Sequence, residues 1–186
     1  MSDKKGRLIV ISAPSGAGKG TVIGELRRLK PDIAYSISAT TRAPRPGEEH
    51  GREYYFFSNE EFENMATRGK FLEHKAYVGR RYGTLLEPIE ENIAYGVDTI
   101  LEIEVEGARE VKRKIPEAVM IFIMPPSEEE LRRRLFGRGT NTASDLEERM
   151  AVAKLEMAAA PEYEHIVTND DAKRAAREIL TIMKNK

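Results

Sequence analysis

The chain contains no cysteine, which excludes disulfides, thiolate metal ligands and cysteine nucleophiles. A cysteine-free sequence fits a reducing compartment. No apolar run approaches the ~20 residues needed to cross a bilayer. The segment Met1 to Arg7 is polar and lacks the apolar stretch and small-residue cleavage site of a signal peptide. These absences set the expectation of a cytoplasmic protein with no membrane partner. Charge of one sign is also missing: 30 Lys and Arg stand against 31 Asp and Glu, whereas a general nucleic-acid binder carries a basic excess. His50, His74 and His165 are isolated, without zinc-type spacing, so no metal held by the protein alone is expected.

What is present is a chain of 186 residues, 40% apolar and 33% charged. That suffices for one domain with a full core, or a core with small inserted lobes. Short apolar runs at Leu8 to Ile11, Thr99 to Ile103, Val119 to Met124 and Ile166 to Val167 read as buried strands of a parallel sheet. Helical spacing appears at Thr21 to Leu29, through Val22, Ile23, Leu26 and Leu29, and again from Asp171 to Met183. Strands alternating with helices predict a three-layer α/β/α fold with a parallel core sheet.

Two segments break the alternation. Residues 36 to about 95 hold the run Ala43-Pro44-Arg45-Pro46-Gly47 and many aromatics, and read as an inserted lobe. Residues 126 to about 157 are rich in arginine and read as a mobile lid. The core is then expected over about 4–35, 96–125 and 158–186.

The sequence Ala13-Pro14-Ser15-Gly16-Ala17-Gly18-Lys19-Gly20-Thr21 lies between a predicted strand and a predicted helix, the context that identifies a P-loop. Small residues let backbone N–H groups close around phosphate oxygens, the helix N-terminus adds partial positive charge, and Lys19 supplies a full one. Ala13 replaces the usual first glycine, and Gly20 replaces the hydroxyl residue that often binds Mg²⁺, with Thr21 one position later. A Mg²⁺ ion would then be held mainly by nucleotide phosphates and water. The expected ligand is a nucleoside triphosphate.

Arg42 and Arg45 stand three apart across a Pro-bearing turn, where both guanidinium forks could meet one phosphate, with the phenols of Tyr54 and Tyr82 as further donors. A basic surface loop with packed tyrosines is the plainer alternative. The run from Ser38-Ala39-Thr40-Thr41-Arg42 through Gly51-Arg52-Glu53-Tyr54 resembles the guanylate kinase signature. The likeness continues, in family order, through Phe71-Leu72-Glu73, Tyr82-Gly83-Thr84, Glu102-Ile103-Glu104, Pro125-Pro126-Ser127, Gly137-Arg138-Gly139 and Asn169-Asp170-Asp171.

The resemblance implies Mg²⁺-dependent transfer of the γ-phosphoryl group of ATP to GMP, and to dGMP, within purine nucleotide metabolism. It implies that Glu73 reads guanine with Ser38 and Thr84, and that Arg42, Arg45, Tyr54 and Tyr82 grip the GMP phosphate. Glu102 and Glu104 stand where similar enzymes often carry Asp, near the acceptor; a solvated strand end is the other reading. Arg134, Arg138 and Arg149 are implied as lid arginines acting with Lys19 and Arg42 in catalysis, although a charge run is often only a solvated helix face. Asn169 is implied near the adenine of ATP. Two rivals stay open: a kinase for another nucleoside monophosphate, and a non-catalytic module of similar fold. The intact Gly18 and Lys19 argue against the second.

Overall fold

The structure is a computed structural model that describes residues 5–136 and 143–185. Along the chain run β1 (Leu8–Ser12), α1 (Lys19–Leu29), β2 (Ala34–Tyr35), β3 (Ser38–Thr40), β4 (Tyr55–Phe56) and α2 (Asn59–Thr67). Then come β5 (Phe71–Tyr77), β6 (Arg80–Leu85), α3 (Leu86–Ala94), β7 (Thr99–Glu102) and α4 (Val105–Lys114). The chain continues through β8 (Val119–Met124), α5 (Glu128–Phe136), α6 (Ala143–Ala158), a 3₁₀ turn (Ala160–Glu162), β9 (His165–Thr168) and α7 (Ala172–Lys184). These elements form two compact units. One holds the segment ending at Leu8 with Ala34–Leu101 and Glu106–Ala118; the other holds Ile9–Ile33, Glu102–Val105 and the chain from Val119 onward.

In the latter unit β1, β8 and β9 pair in parallel, with Ile11 opposite Ile121 and Ile121 opposite His165. Leu8 to Ser12 and Val119 to Ile123 are buried without interruption, as strands covered on both faces require. Helix α1 buries Val22, Ile23 and Leu26, and α7 buries Ala175, Ala176, Ile179 and Met183. The two helices pack together. Each fully buried aliphatic side chain contributes roughly 1.5–3 kcal/mol, so Leu26→Ala would cost ~2–5 kcal/mol. Helix α7 starts where the Asp171 carboxylate accepts the Arg174 N–H. Helices α5 and α6 close over their own apolar cluster of Leu131, Leu135, Leu146, Met150 and Ala153.

The other unit contains a four-stranded sheet in the order β4-β3-β6-β5, and a parallel β2–β7 pair. Strands β5 and β6 form a hairpin whose turn residues Val78 and Gly79 have φ of 47° and 69°, as a tight hairpin turn demands. Helix α2 opens with a reciprocal cap: Ser58 Oγ accepts the Glu61 N–H, and the Glu61 carboxylate accepts the Ser58 N–H. Its Phe62 stacks on Phe71 with ring centroids 4.3 Å apart, over a small core completed by Ala39.

The α/β class follows the alternation of strand and helix signals, and the observed elements differ mainly at their ends. Helix α1 starts at Lys19 rather than Thr21, because Gly18 turns left-handed at φ 85° and enters the helix directly. Strand β7 stops at Glu102 rather than Ile103. Strand alternation therefore does not carry through to Glu104, since the chain turns there into α4 at Val105.

Candidate active site

Two clusters of predicted residues are built separately, one in each unit. The first is the loop between β1 and α1. Gly16 and Gly18 both take positive φ, 87° and 85°, which glycine adopts without steric cost. A Cβ on Gly18 would lie 2.6 Å from Asn169 Nδ2, and one on Gly16 would lie 2.7 Å from Leu135 Cδ2. The loop is therefore clasped by neighbours that leave no room for side chains. Asn169, buried at the end of β9, donates Nδ2–H to the Ala17 carbonyl at 2.7 Å, and its own N–H bonds the Met124 carbonyl at 2.7 Å. Arg134 donates to the same Ala17 carbonyl at 3.2 Å and to the Asn169 carbonyl at 3.0 Å.

The N-terminus of α1 has no side-chain cap, and a helix start of this kind favours an anion through its amides and its dipole. Lys19 Nζ lies 3.7 Å from a Glu102 carboxylate oxygen and 3.5 Å from the Ile103 carbonyl. A cavity of about 350 Å³ is lined by Gly16, Gly18, Thr21, Arg134 and the turn from Asn169 to Ala172. From α6, Arg149 reaches Ser15 Oγ at 3.4 Å, and the Glu156 carboxylate accepts the Ser15 N–H at 3.0 Å. Glu130 ties down both Arg133 and Arg134, and their guanidinium groups lower its pKa to about 2. Arg138 lies outside the described residues.

The second cluster sits on the four-stranded sheet. Register places Ser38 opposite Thr84, and Thr84 opposite Glu73. The three predicted base-reading side chains therefore form one row across β3, β6 and β5, on one face. Thr84 donates its hydroxyl to Glu73 at 2.6 Å, and both residues are buried. Burial raises the Glu73 pKa, opposed by the Thr84 hydrogen bond. Tyr82, two residues before Thr84, shares that face, and its ring centroid lies 6.4 Å from that of Tyr54.

Arg42 stacks over Tyr54 at 5.3 Å and Phe56 at 5.7 Å. Its guanidinium is also held two-pronged by Glu48, at 3.0 and 2.9 Å. The Glu48 carboxylate accepts the Arg45 N–H as well, at 2.8 Å, and Arg45 is exposed. The Arg42 and Arg45 hydrogen bonds hold the Glu48 pKa below the usual carboxylate range. Glu102 and Glu104 belong to the unit of the phosphate loop.

Sequence reasoning missed Glu48, Phe56, Glu130 and Glu156. Glu48 lay inside the quoted signature run, where a carboxylate beside two arginines was the available signal. Glu130 is an i,i+4 partner of Arg134 and was legible by helical spacing. Glu156 carried no signal, because its partner, Ser15, is distant in sequence.

A strand, a glycine-bent loop with a lysine and an uncapped helix, on parallel strands flanked by helices, define a P-loop α/β protein. A family described as guanylate kinase matches residues 5–186. The chain is 52% identical over 181 residues to a guanylate kinase from Rubrobacter xylanophilus, covering 97% of this chain and 95% of that one. It is 50% identical over 183 residues to one from Shouchella clausii, covering 98% and 89%. The crystal structure of guanylate kinase from Anaplasma phagocytophilum is similar at a TM-score of 0.78 and 34% identity, over 98% of this chain and 87% of that chain. The chain belongs to the guanylate kinase family, and so to the nucleoside monophosphate kinases, a group of transferases.

Proposed function

We propose that the protein transfers the γ-phosphoryl group of ATP to GMP, and to dGMP, giving ADP and GDP or dGDP in the cytoplasmic recycling of purine nucleotides. The observation that carries this reading is the row Ser38–Thr84–Glu73, in which a buried carboxylate accepts the Thr84 hydroxyl and Ser38 stands on the other side of Thr84. Guanine presents N1–H and a 2-amino group side by side, both donors that one carboxylate accepts. Adenine presents an acceptor at N1 and lacks the 2-amino group, so it would leave Glu73 unpaired; such polar readout discriminates by ~10⁴ or more.

In the reaction the bond from the γ-phosphorus to its bridging oxygen breaks, and a bond forms to an oxygen of the GMP phosphate. That oxygen is already ionised, so no general base is required. Catalysis then rests on alignment and charge stabilisation. Ala13 to Thr21 would wrap the ATP phosphates, with Lys19 supplying positive charge to the transferring group. Asn169 and Arg134 line one cavity with Gly16, Gly18 and Thr21, which supports a role for both at the ATP side of the reaction. Arg42, Arg45, Tyr54 and Tyr82 would hold the acceptor phosphate. The Arg42 guanidinium is preset by Glu48 and its aromatic platform.

Residues 36–95 would then be the acceptor lobe and 126–157 the lid. The latter is supported by the separate apolar cluster of α5 and α6, and Arg149 of α6 already touches the loop at Ser15. Thr21 and Glu102, the hydroxyl and carboxylate next to the cradle, fit a Mg²⁺ ion held mainly by nucleotide oxygens and water. Bound there, the ion supplies charge neutralisation on the phosphates.

The test is ADP formation from ATP and Mg²⁺ with GMP, dGMP, AMP, UMP, CMP and dTMP supplied separately. Turnover confined to the guanine nucleotides is expected. A preferred adenine or pyrimidine acceptor would overturn the base-reading row, and GMP binding without transfer would favour a non-catalytic module.

A further inference from the structure

Glu73 does not sit in a regular strand. Between β5 and β6 the register moves from Phe71 opposite Leu85 to Glu73 opposite Thr84, so two steps on β5 match one on β6. Leu72 is the extra residue of this β-bulge. A bulge leaves its extra residue out of the ladder and re-aims the side chains that follow. Here the following side chain is Glu73.

Two features hold the bulge. Gly83 of β6 packs so closely that a Cβ there would lie 2.9 Å from the Glu73 carbonyl oxygen and 2.9 Å from His74 Cβ. From α4, Lys114 donates Nζ–H to the Leu72 carbonyl at 2.5 Å while pairing with Glu110, one turn earlier, at 2.9 Å. The charged groups acting on Glu73 are Lys75 of β5 and Glu110 and Lys114 of α4. Removing the ammonium would therefore release the bulged carbonyl and leave the Glu110 charge unneutralised toward Glu73.

The geometry points to Lys114 as a positioning residue for base selection: its ammonium pins the Leu72 bulge and thereby aims the Glu73 carboxylate at the purine. This inference rests on Glu73 being the guanine reader. The sequence did not single out Lys114, which lies outside the acceptor motifs and reaches Leu72 only in the folded chain.

The experiment uses the full chain with Mg²⁺ and saturating ATP. It compares GMP with inosine monophosphate, which keeps N1–H and lacks the 2-amino group. The parent is measured beside K114M, K114Q, K114R and E73Q, each with a thermal melt. A misplacement of ~1 Å can cost about 10²-fold; for K114M and K114Q the expectation is about a tenfold rise in the KM for GMP, about a tenfold loss of GMP selectivity, and kcat within about threefold of the parent. K114R keeps the donor and should restore both quantities to within about threefold. A purely structural defect would instead degrade both acceptors and kcat together, without rescue by arginine, and would overturn the assignment. Selectivity lost in E73Q but intact in both neutral Lys114 variants would overturn the role of Lys114 alone. Selectivity intact in E73Q would overturn the base-reading assignment and this inference with it.

Discussion

In the phosphate loop the groups suited to an anion are mostly backbone: a chain turned by the positive φ of Gly16 and Gly18, plus the start of α1 without a side-chain cap, with Lys19 as the main side chain. In the four-stranded sheet they are all side chains, set in a row by strand register and clustered around Arg42. The difference follows the ligands each is proposed to take. A phosphate offers diffuse charge and many acceptor oxygens, which any ring of N–H donors satisfies. A base offers a particular order of donors and acceptors, which only chosen side chains can match. The loop is accordingly fragile to changes in its backbone, and the sheet to changes in its side-chain chemistry.

The largest expected effect comes from the one essential side chain of the backbone-built site. Lys19→Ala should lower kcat by about 10³-fold or more with little change in melting temperature; retained turnover would remove Lys19 from the chemistry. Gly18→Ala sharpens the contrast from the backbone side. It forces a Cβ onto a residue at φ 85° and 2.6 Å from Asn169, which should cost ~1–3 kcal/mol in denaturant unfolding and weaken ATP binding.

On the sheet, Glu73→Gln replaces one acceptor oxygen with an NH₂ group; with its remaining oxygen on N1–H, it turns an N–H toward the guanine 2-amino group, a donor that inosine monophosphate lacks. It should reduce GMP selectivity over inosine monophosphate about 10²-fold while ATP affinity, read by nucleotide titration, stays unchanged. Arg42→Met should raise the KM for GMP about tenfold and leave the apparent affinity for ATP alone. An equal effect on both substrates would erase the proposed division of labour.

The smallest effect is a pH dependence. Burial raises the folded-state pKa of Glu73 above its unfolded value, so the native state binds more protons in that window. Its stability contribution is then fully present below the unfolded pKa and lost as pH rises through the folded one. Guanine recognition needs the opposite, ionised form. The KM for GMP should fall as pH rises through the Glu73 pKa, a trend absent in Glu73→Gln. That variant should also melt slightly above the parent at neutral pH and match it in acid.

The two regions were unequally legible in the sequence. The strand β1, the loop and α1 are contiguous, and their glycines, lysine and apolar spacing carry the whole arrangement within one stretch of chain. Only the left-handed entry at Gly18, which starts α1 two residues early, needed coordinates. The acceptor residues were nameable through the resemblance, but the row Ser38–Thr84–Glu73 was not. It depends on pairing β3 with β6 and β6 with β5, including a bulge that no local pattern announces. The arginine-rich segment from 126 to about 157 stood out by its charge, but the destinations of its side chains did not: the Ala17 and Asn169 carbonyls for Arg134, and Ser15 for Arg149.

The sequence by itself determined the α/β class, the phosphate loop and the family, because each is written in residues that are neighbours along the chain or recur in fixed order. Tertiary structure decided which polar groups meet: Glu48 on Arg42, Glu102 beside Lys19, Glu156 on the Ser15 amide, and Lys114 on the Leu72 carbonyl. Such pairings join side chains to partners across turns and folds of the backbone, at distances of a few ångströms. Chain order does not encode separations of that kind, and only packing brings them about.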